Sequence, residues 1–256
     1  MRKLMKLGAL SLLGMVPLWS VEIHSMADAV NLAGKQRMYT QRMLKDYAMV
    51  GMGNTFGDPG ADLAKTIADF DDHLKSLDAY AKDAKVKAAL KKVDDLWKEV
   101  KPQLQAKPTA ENAAKLQERL EALLHASDEA TKAFADASGT HAGKIINIAG
   151  KQRMLSQRMA SLYMLEVWGL KDPKFKEKLN SALKEFKDAL KVLKESPLNN
   201  EETKALLAKV ERSFMFFEMM NRSKSKFIPT LIYKKSNDML TNMNKVTQIY
   251  VQNESK

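Results

Sequence analysis

Cysteine is absent from this chain, and glycine and proline are scarce, with 11 and 7 residues among 256. The lack of thiols excludes disulfide bonds, cysteine-ligated zinc, iron–sulfur clusters and covalent haem attachment. Few glycines and prolines leave little material for the tight turns of β-sheets, whereas Ala, Leu, Lys, Glu and Met, which favour helices, are frequent. An apolar fraction of 45% is enough to fill a core, so the composition predicts an all-α globular protein.

Patterns for catalysis and metal binding are also missing. The sequence has no Ser/His/Asp set, phosphate-binding loop or dinucleotide fingerprint. The sixteen methionines are interpreted as flexible core filling rather than copper ligands. The four histidines lack both the H-E-x-x-H and the Glu-x-x-His spacing; they are His24, His73, His125 and His141. We therefore expect no enzyme activity, no metal and no cofactor.

Long hydrophobic runs are restricted to the N-terminus. The apolar stretch Leu7–Trp19 is too short to span a bilayer and follows three basic residues, Arg2, Lys3 and Lys6. This pattern predicts a signal peptide over residues 1–25, with cleavage near Ser20 or Ser25, and a periplasmic protein. An uncleaved membrane anchor is the alternative. Further along, Lys or Glu interrupts every apolar run, so no transmembrane span is expected in the mature chain.

The formal net charge of +11 does not by itself indicate a nucleic-acid partner. Acidic residues alternate with basic ones along most of the predicted helices, which is typical of solvated faces with i,i+4 ion pairs. Export also argues against nucleic acid, so none is expected as a partner.

An internal repeat is the most informative feature of the sequence. Residues 31–43 read NLAGKQRMYTQRM and residues 147–159 read NIAGKQRMLSQRM, with ten of thirteen positions identical at an offset of 116. The offset continues more weakly outside this block: Phe70 aligns with Phe186, and Trp97 falls opposite Phe214. Repeats of this kind indicate tandem copies of one structural unit. Because the flanks have drifted further, we infer that more than generic helix packing maintains the block.

Caps and helix breakers divide each copy into four helices. Ser25, Asp58 and Thr109 are the predicted N-caps of the first unit, residues 26–138, and Pro102 with Pro108 is expected to end its third helix. The second unit, residues 139–256, is expected to hold helices at about 140–169, 172–195 and 200–224, and a last helix that Pro229 kinks or delays. The sequence thus predicts eight helices in two four-helix up-and-down units.

The repeated helix offers chemistry suited to an anion. At 100° per residue, Gly34, Arg37 and Gln41 share one face, while Asn31 and Arg42 lie on another. Arginine presents a planar fork of donors to an oxyanion. A glycine inside a helix costs about 1 kcal/mol relative to alanine, so its recurrence predicts that a neighbouring helix or a ligand approaches the backbone. The alternative is that these arginines are ordinary surface or interface residues paired with Glu or Asp.

The pattern N-x-A-G-x-x-R-M-x-[ST]-Q-R in both blocks resembles the signature of PilJ-type input domains of type IV pilus chemotaxis transducers. It is also similar to the periplasmic sensor domains of nitrate- and nitrite-responsive histidine kinases. The resemblance implies that the arginine and the glycine one turn before it bind nitrate or nitrite at a twofold interface. Two copies in one chain would then build a pseudo-twofold interface internally. The candidate ligand-binding residues are Arg37, Gly34, Arg153, Gly150, Asn31, Asn147, Gln41 and Gln157.

Two hypotheses follow from the sequence. The first is a periplasmic sensory protein that binds a small oxyanion, with nitrate or nitrite favoured, and reports to a membrane receptor or a chemosensory system. The second is a structural helical adaptor whose basic helices dock an acidic protein without any small ligand.

Export gives the first testable prediction. Mass spectrometry of the protein from its native cell envelope should show a mass that lacks about 20 to 25 N-terminal residues, because signal peptidase removes such segments. An intact N-terminus in the membrane fraction would indicate a tethered protein instead.

Overall fold

The computed structural model describes residues 21–139, 141–222 and 228–254. Most of the predicted signal peptide, residues 1–20, lies outside this part of the chain. The described residues form eight helices and no strand, which confirms the all-α prediction. The helices are α1 (Met26–Gly51), α2 (Pro59–Tyr80), α3 (Ala84–Gln105), α4 (Ala110–Ser138), α5 (His141–Val167), α6 (Pro173–Lys194), α7 (Glu201–Arg222) and α8 (Pro229–Glu254).

Side-chain caps begin the helices where the sequence predicts them. The Ser25 hydroxyl accepts a hydrogen bond from the backbone N–H of Asp28, and Thr109 accepts one from Asn112. Asp58 and Asp172 cap α2 and α6, and each is followed by a proline at the first helical position. A proline is tolerated there because the N–H that it lacks would have no partner inside the helix.

The structure corrects one expectation about the prolines and decides between two alternatives for another. Pro102 does not end the third helix but lies within the last turn of α3, which continues to Gln105. The helix tolerates it because Pro102 still accepts a hydrogen bond at its carbonyl, from Ala106, and only its own N–H is lost. Pro229 does not kink α8 but is the first residue of that helix, which agrees with the alternative that it delays the helix start. The last described residue of α7 is Arg222, and Lys224, the predicted end of this helix, lies outside the described residues.

Helices α1 and α5 form the centre of the molecule. Helix α1 packs most extensively on α5, and then on α4 and α2, while α5 packs in turn on α8 and α6. Contacts between the two central helices keep one offset along their length: Gly34 lies against Gly150, and further on the reciprocal pairs Gln41–Ser161 and Lys45–Gln157 are centred on positions 116 apart. The central helices therefore run side by side in the same direction and in register. The buried apolar residues form one continuous core across both predicted units, and the division into units stays a prediction.

The repeat is visible in the packing outside the central helices. The rings of Phe70 and Trp97 lie 4.2 Å apart between α2 and α3, and those of Phe186 and Phe214 lie 4.6 Å apart between α6 and α7. Hydrogen bonds follow the same offset: the Gln36 amide donates to the carbonyl of Phe70, and the Gln152 amide to that of Phe186. These equivalent contacts show that the two copies pack their helices alike, and the pseudo-twofold relation between them stays a prediction.

Among the described helices, none is both long enough and apolar enough to cross a membrane.

Replacing Phe186 with alanine should lower the free energy of unfolding by about 3–5 kcal/mol, because the ring is fully buried and its removal leaves a cavity. Urea denaturation followed by circular dichroism measures the change. Met219 is 56% exposed, and Met219→Ala should change stability by less than about 0.5 kcal/mol. Equal stability of the two variants would contradict the packing described here.

Candidate functional site

Two arginines occupy the contact between the central helices. Arg37 of α1 and Arg153 of α5 are each only 1% exposed. This burial is unusual because a charged guanidinium loses its hydration unless the protein replaces it. Neither arginine is therefore a surface residue, but the alternative of an interface arginine paired with a carboxylate agrees with Arg37, which pairs with Asp128. Arg42 and Arg158 are partly buried and pair with carboxylates, Asp62 and Glu121 respectively.

Glycine makes room for the two guanidinium groups. A Cβ atom placed on Gly34 would lie 3.1 Å from Nη2 of Arg153 and 3.4 Å from Nη2 of Arg37. A Cβ atom on Gly150 would meet the same two nitrogens at 3.3 and 3.1 Å, and each Cβ would lie 3.8 Å from the opposite glycine's Cα. Of the two approaches anticipated from the sequence, the neighbouring helix is thus present: the helix backbones meet at the glycines, and the guanidinium groups adjoin them.

Each arginine donates a hydrogen bond to a backbone carbonyl of the opposite helix. Nη2 of Arg37 donates to the carbonyl oxygen of Asn147 at 3.2 Å, and Nη2 of Arg153 donates to that of Asn31 at 3.0 Å. The Asn31 side chain also accepts from Nη1 of Arg153 at 2.9 Å. Asn31 therefore belongs to the site, although the helical wheel places it on another face from Arg37. The arginine that it meets comes from the other helix, which a wheel of one helix cannot show.

The outer helices complete the site with two different residues. Nη1 of Arg37 donates to Asp128 of α4 at 2.6 Å, whereas Nη1 of Arg153 donates to Asn244 of α8 at 3.3 Å. Positions 128 and 244 are also 116 apart, so they are equivalents in the repeat. The sequence analysis missed both residues because it did not extend the offset into α4 and α8. Arg37 thus has a carboxylate partner, whereas Arg153 has a neutral amide in the equivalent position.

The electrostatics of the two arginines differ accordingly. Burial lowers the pKa of Arg37, while the charge of Asp128 and its hydrogen bond act in the opposite direction. Burial and the nearby charge of Arg37 lower the pKa of Arg153 to about 9, which leaves it charged at neutral pH. Three buried polar atoms of the site have no hydrogen-bond partner among the described residues: Nε of Arg37, Nε of Arg153 and Oδ1 of Asn147.

Comparison with known proteins assigns the chain to a family. The family model PilJ, described as the N-terminal domain of type IV pili methyl-accepting chemotaxis transducers, matches residues 19–128 and 135–214. The chain belongs to the PilJ family. No curated protein matches it, and neither does any solved structure. The PilJ family is a family of sensory domains, and the buried arginine pair lies where the two matched segments meet.

Gln41 and Gln157 do not join the arginine pair of this PilJ domain. They lie one turn towards the C-termini of α1 and α5, and their amides bind other groups. Oε1 of Gln41 accepts from Ser161 at 3.2 Å, and Oε1 of Gln157 accepts from Lys45 at 2.8 Å. Arginine side chains on a helix lean towards its N-terminus, away from these glutamines. The two residues therefore connect α1 and α5 by hydrogen bonds.

A second buried charged cluster lies beside these glutamines, and the sequence analysis did not anticipate it. Lys45 and Asp46 are both fully buried, with Nζ of Lys45 3.6 Å from a carboxylate oxygen of Asp46. Nζ also donates to Asn237 at 2.7 Å and lies 4.1 Å from the centre of the Tyr233 ring. Burial raises the pKa of Asp46 to about 7 and lowers that of Lys45 to about 8. The repeat equivalents are Ser161 and Leu162, so this cluster exists in one unit only.

An open cleft of about 470 Å³ adjoins the site between α4, α5 and α6. Asp128 lies at its edge, and Leu155, Arg158 and Ala182 also line it. The partly exposed carboxylate of Asp128 thus lies between this cleft and the buried guanidinium of Arg37. No group of three or more potential metal ligands occurs in the described ranges.

The Asp46 cluster predicts a defined pH dependence. The folded state holds a proton on Asp46 that the unfolded chain releases between about pH 4 and 7, so this carboxyl costs stability as pH rises through that range. The free energy of unfolding of the wild type should therefore fall, relative to that of Asp46→Asn, as the pH rises from 5 to 8. Urea unfolding midpoints of both proteins at several pH values measure this difference.

Glu121 provides a control of opposite sign: burial acts to raise the pKa of this carboxyl, but the hydrogen bond and the charge of Arg158 outweigh it and lower the pKa. Its contribution to stability is present above the unfolded-state pKa and disappears at lower pH. The stability of Glu121→Gln should therefore lie furthest below that of the wild type at neutral pH and approach it under acid conditions. Parallel pH profiles for the wild type and Asp46→Asn would refute the burial effect.

Proposed function

We propose that this PilJ-family chain is a periplasmic sensory module that binds a small oxyanion between Arg37 and Arg153. The observation that carries the proposal is the burial of two adjoining guanidinium groups, of which only Arg37 is paired with a carboxylate, that of Asp128. Proteins rarely bury such groups without compensation, and here the compensation is incomplete. A bound monoanion would supply the missing negative charge.

The free energy available to such a ligand is substantial. Two positive charges about 6 Å apart repel each other by roughly 3 kcal/mol at an effective dielectric constant near 20. An oxyanion placed between them removes this repulsion and accepts charge-assisted hydrogen bonds, which are shorter and stronger than neutral ones. The unpaired Nε–H groups of both arginines are available donors. Nitrate and nitrite are the favoured ligands, because they are planar, compact and singly charged, and the family resemblance points to them.

The position of the site suggests how binding would be reported. The anion would join α1 to α5, the most extensive helix contact in the molecule, so binding would favour one packing of these helices over another. Small shifts between packed helices are a common route for signals in sensory proteins. A membrane receptor or a chemosensory partner that contacts the bundle could then detect the change.

The arrangement of the four arginines favours the oxyanion proposal over the adaptor alternative. It requires the basic residues of the repeated helix to face an acidic partner protein. Arg37 and Arg153 face each other inside the bundle, and the described side chains of Arg42 and Arg158 already pair with carboxylates. These residues are not available to a docking partner.

Anion binding is tested by titration calorimetry and by thermal unfolding in a chloride-free buffer of fixed ionic strength. Nitrate or nitrite should raise the melting temperature, because a ligand at 100 times its Kd stabilises the folded state by about 2.7 kcal/mol. For a chain of this size that corresponds to about 5–10 °C. Arg153→Met should abolish this response, since it removes one of the two charges that the anion bridges.

Arg158→Met is the matched control on the same helix. It removes the ion pair with Glu121 and lowers stability, but it should retain the response to nitrate. Absence of both heat and thermal shift with nitrate, nitrite, sulfate and chloride would exclude the oxyanion function.

A further inference from the structure

We propose that the two halves of the arginine site are inequivalent: Asp128 permanently neutralises the Arg37 half, and Asn244 leaves the Arg153 half open for one monovalent oxyanion. This inference rests on the proposed function and specifies the charge of its ligand. The alternative is a symmetric site, in which both arginines bind the anion equally.

The inequivalence arises from one substitution between the repeats. Asp128 and Asn244 occupy equivalent positions on α4 and α8, and each accepts a hydrogen bond from Nη1 of its own arginine. The distances are 2.6 Å to the carboxylate and 3.3 Å to the amide. The side chains have almost the same shape but differ by one negative charge. A charged acceptor binds a guanidinium more strongly than a neutral one, so the two arginines do not compete equally for an anion.

The partners of Arg153 are all neutral oxygens. Its guanidinium donates to the side chain and carbonyl of Asn31 and to the side chain of Asn244. Its Nε is fully buried and finds no partner among the described residues. The positive charge of Arg153 is therefore solvated but not neutralised, and it is the group that an added anion would stabilise most.

Asp128 also forms an ion pair on its solvent-facing side. Its second carboxylate oxygen lies 2.6 Å from Nζ of Lys132, one turn further along α4. Lys132 is 63% exposed, so water screens its charge and it adds little to the balance inside the site. The ammonium keeps Asp128 oriented towards Arg37, which makes the carboxylate a poor candidate for displacement by a weakly held anion.

The charge balance then selects the ligand. Arg37, Arg153 and Asp128 together carry one net positive charge. A monovalent oxyanion brings the buried site to neutrality, whereas a divalent anion such as sulfate would leave a surplus negative charge out of water, which is costly. The wild type should therefore prefer nitrate or nitrite over sulfate by at least about tenfold in affinity, or about 1.4 kcal/mol.

Exchanging the two acceptors tests the inference. Asn244→Asp gives each arginine a carboxylate, and nitrate affinity measured by calorimetry should fall at least tenfold although both arginines are intact. Asp128→Asn leaves two uncompensated charges, so sulfate affinity should rise relative to nitrate by at least tenfold. The double variant Asp128→Asn with Asn244→Asp restores one carboxylate and should recover nitrate affinity to within a few fold. Asp136→Asn, at an exposed position of α4, controls for the loss of one negative charge from the same helix.

The outcomes separate this inference from the proposed function. If the wild type binds none of these anions, the oxyanion function itself fails. If the wild type binds nitrate, but Asn244→Asp binds it equally well or the wild type binds sulfate equally well, only the inequivalence fails. Should Asp128→Asn not fold, the double variant carries the comparison, because it keeps one carboxylate in the site. A folded double variant that does not recover nitrate binding would also overturn the charge argument.

Discussion

The burial of two guanidinium groups between α1 and α5 is the constraint on which the rest of the structure depends. Each group has lost its water and must find hydrogen-bond acceptors within the protein. The chain supplies them from the opposite central helix through Asn31 and Asn147, and from the outer helices through Asp128 and Asn244. Glycines at positions 34 and 150 leave the necessary space. The register of α1 against α5 is fixed by these requirements together.

The same constraint explains why the thirteen-residue block has drifted less than its flanks. A buried polar side chain needs one partner at one distance, so few replacements satisfy it. Gln36 and Gln152 bind backbone carbonyls of α2 and α6, and Thr40 and its counterpart Ser156 bind the carbonyl of the preceding arginine. The surrounding helices contribute mainly apolar contacts, and packing tolerates exchanges of hydrophobic residues when volume is retained.

Two of the differences between the repeats fall where charge is buried. Asp128 has Asn244 as its equivalent, and Lys45 has Ser161. A dimer of identical chains would have to place the same residue in both halves of such a site. Two copies in one chain are free of that restriction, so one half can hold a permanent counterion while the other stays open. The tandem organisation thus allows a charge balance that a symmetric dimer cannot achieve.

The sequence by itself determined the fold class, most helix starts and the identity of the central arginines and glycines. These features depend on local signals: capping side chains, helical periodicity and a repeat that can be read without knowing any contact. Only the tertiary structure decided that the arginines are buried, that Asn31 joins them, that Gln41 and Gln157 do not, and that Asp128 completes the site. The acceptors of each arginine come from other helices, far away in the sequence, and the pattern along one helix carries no information about which distant side chain will meet it.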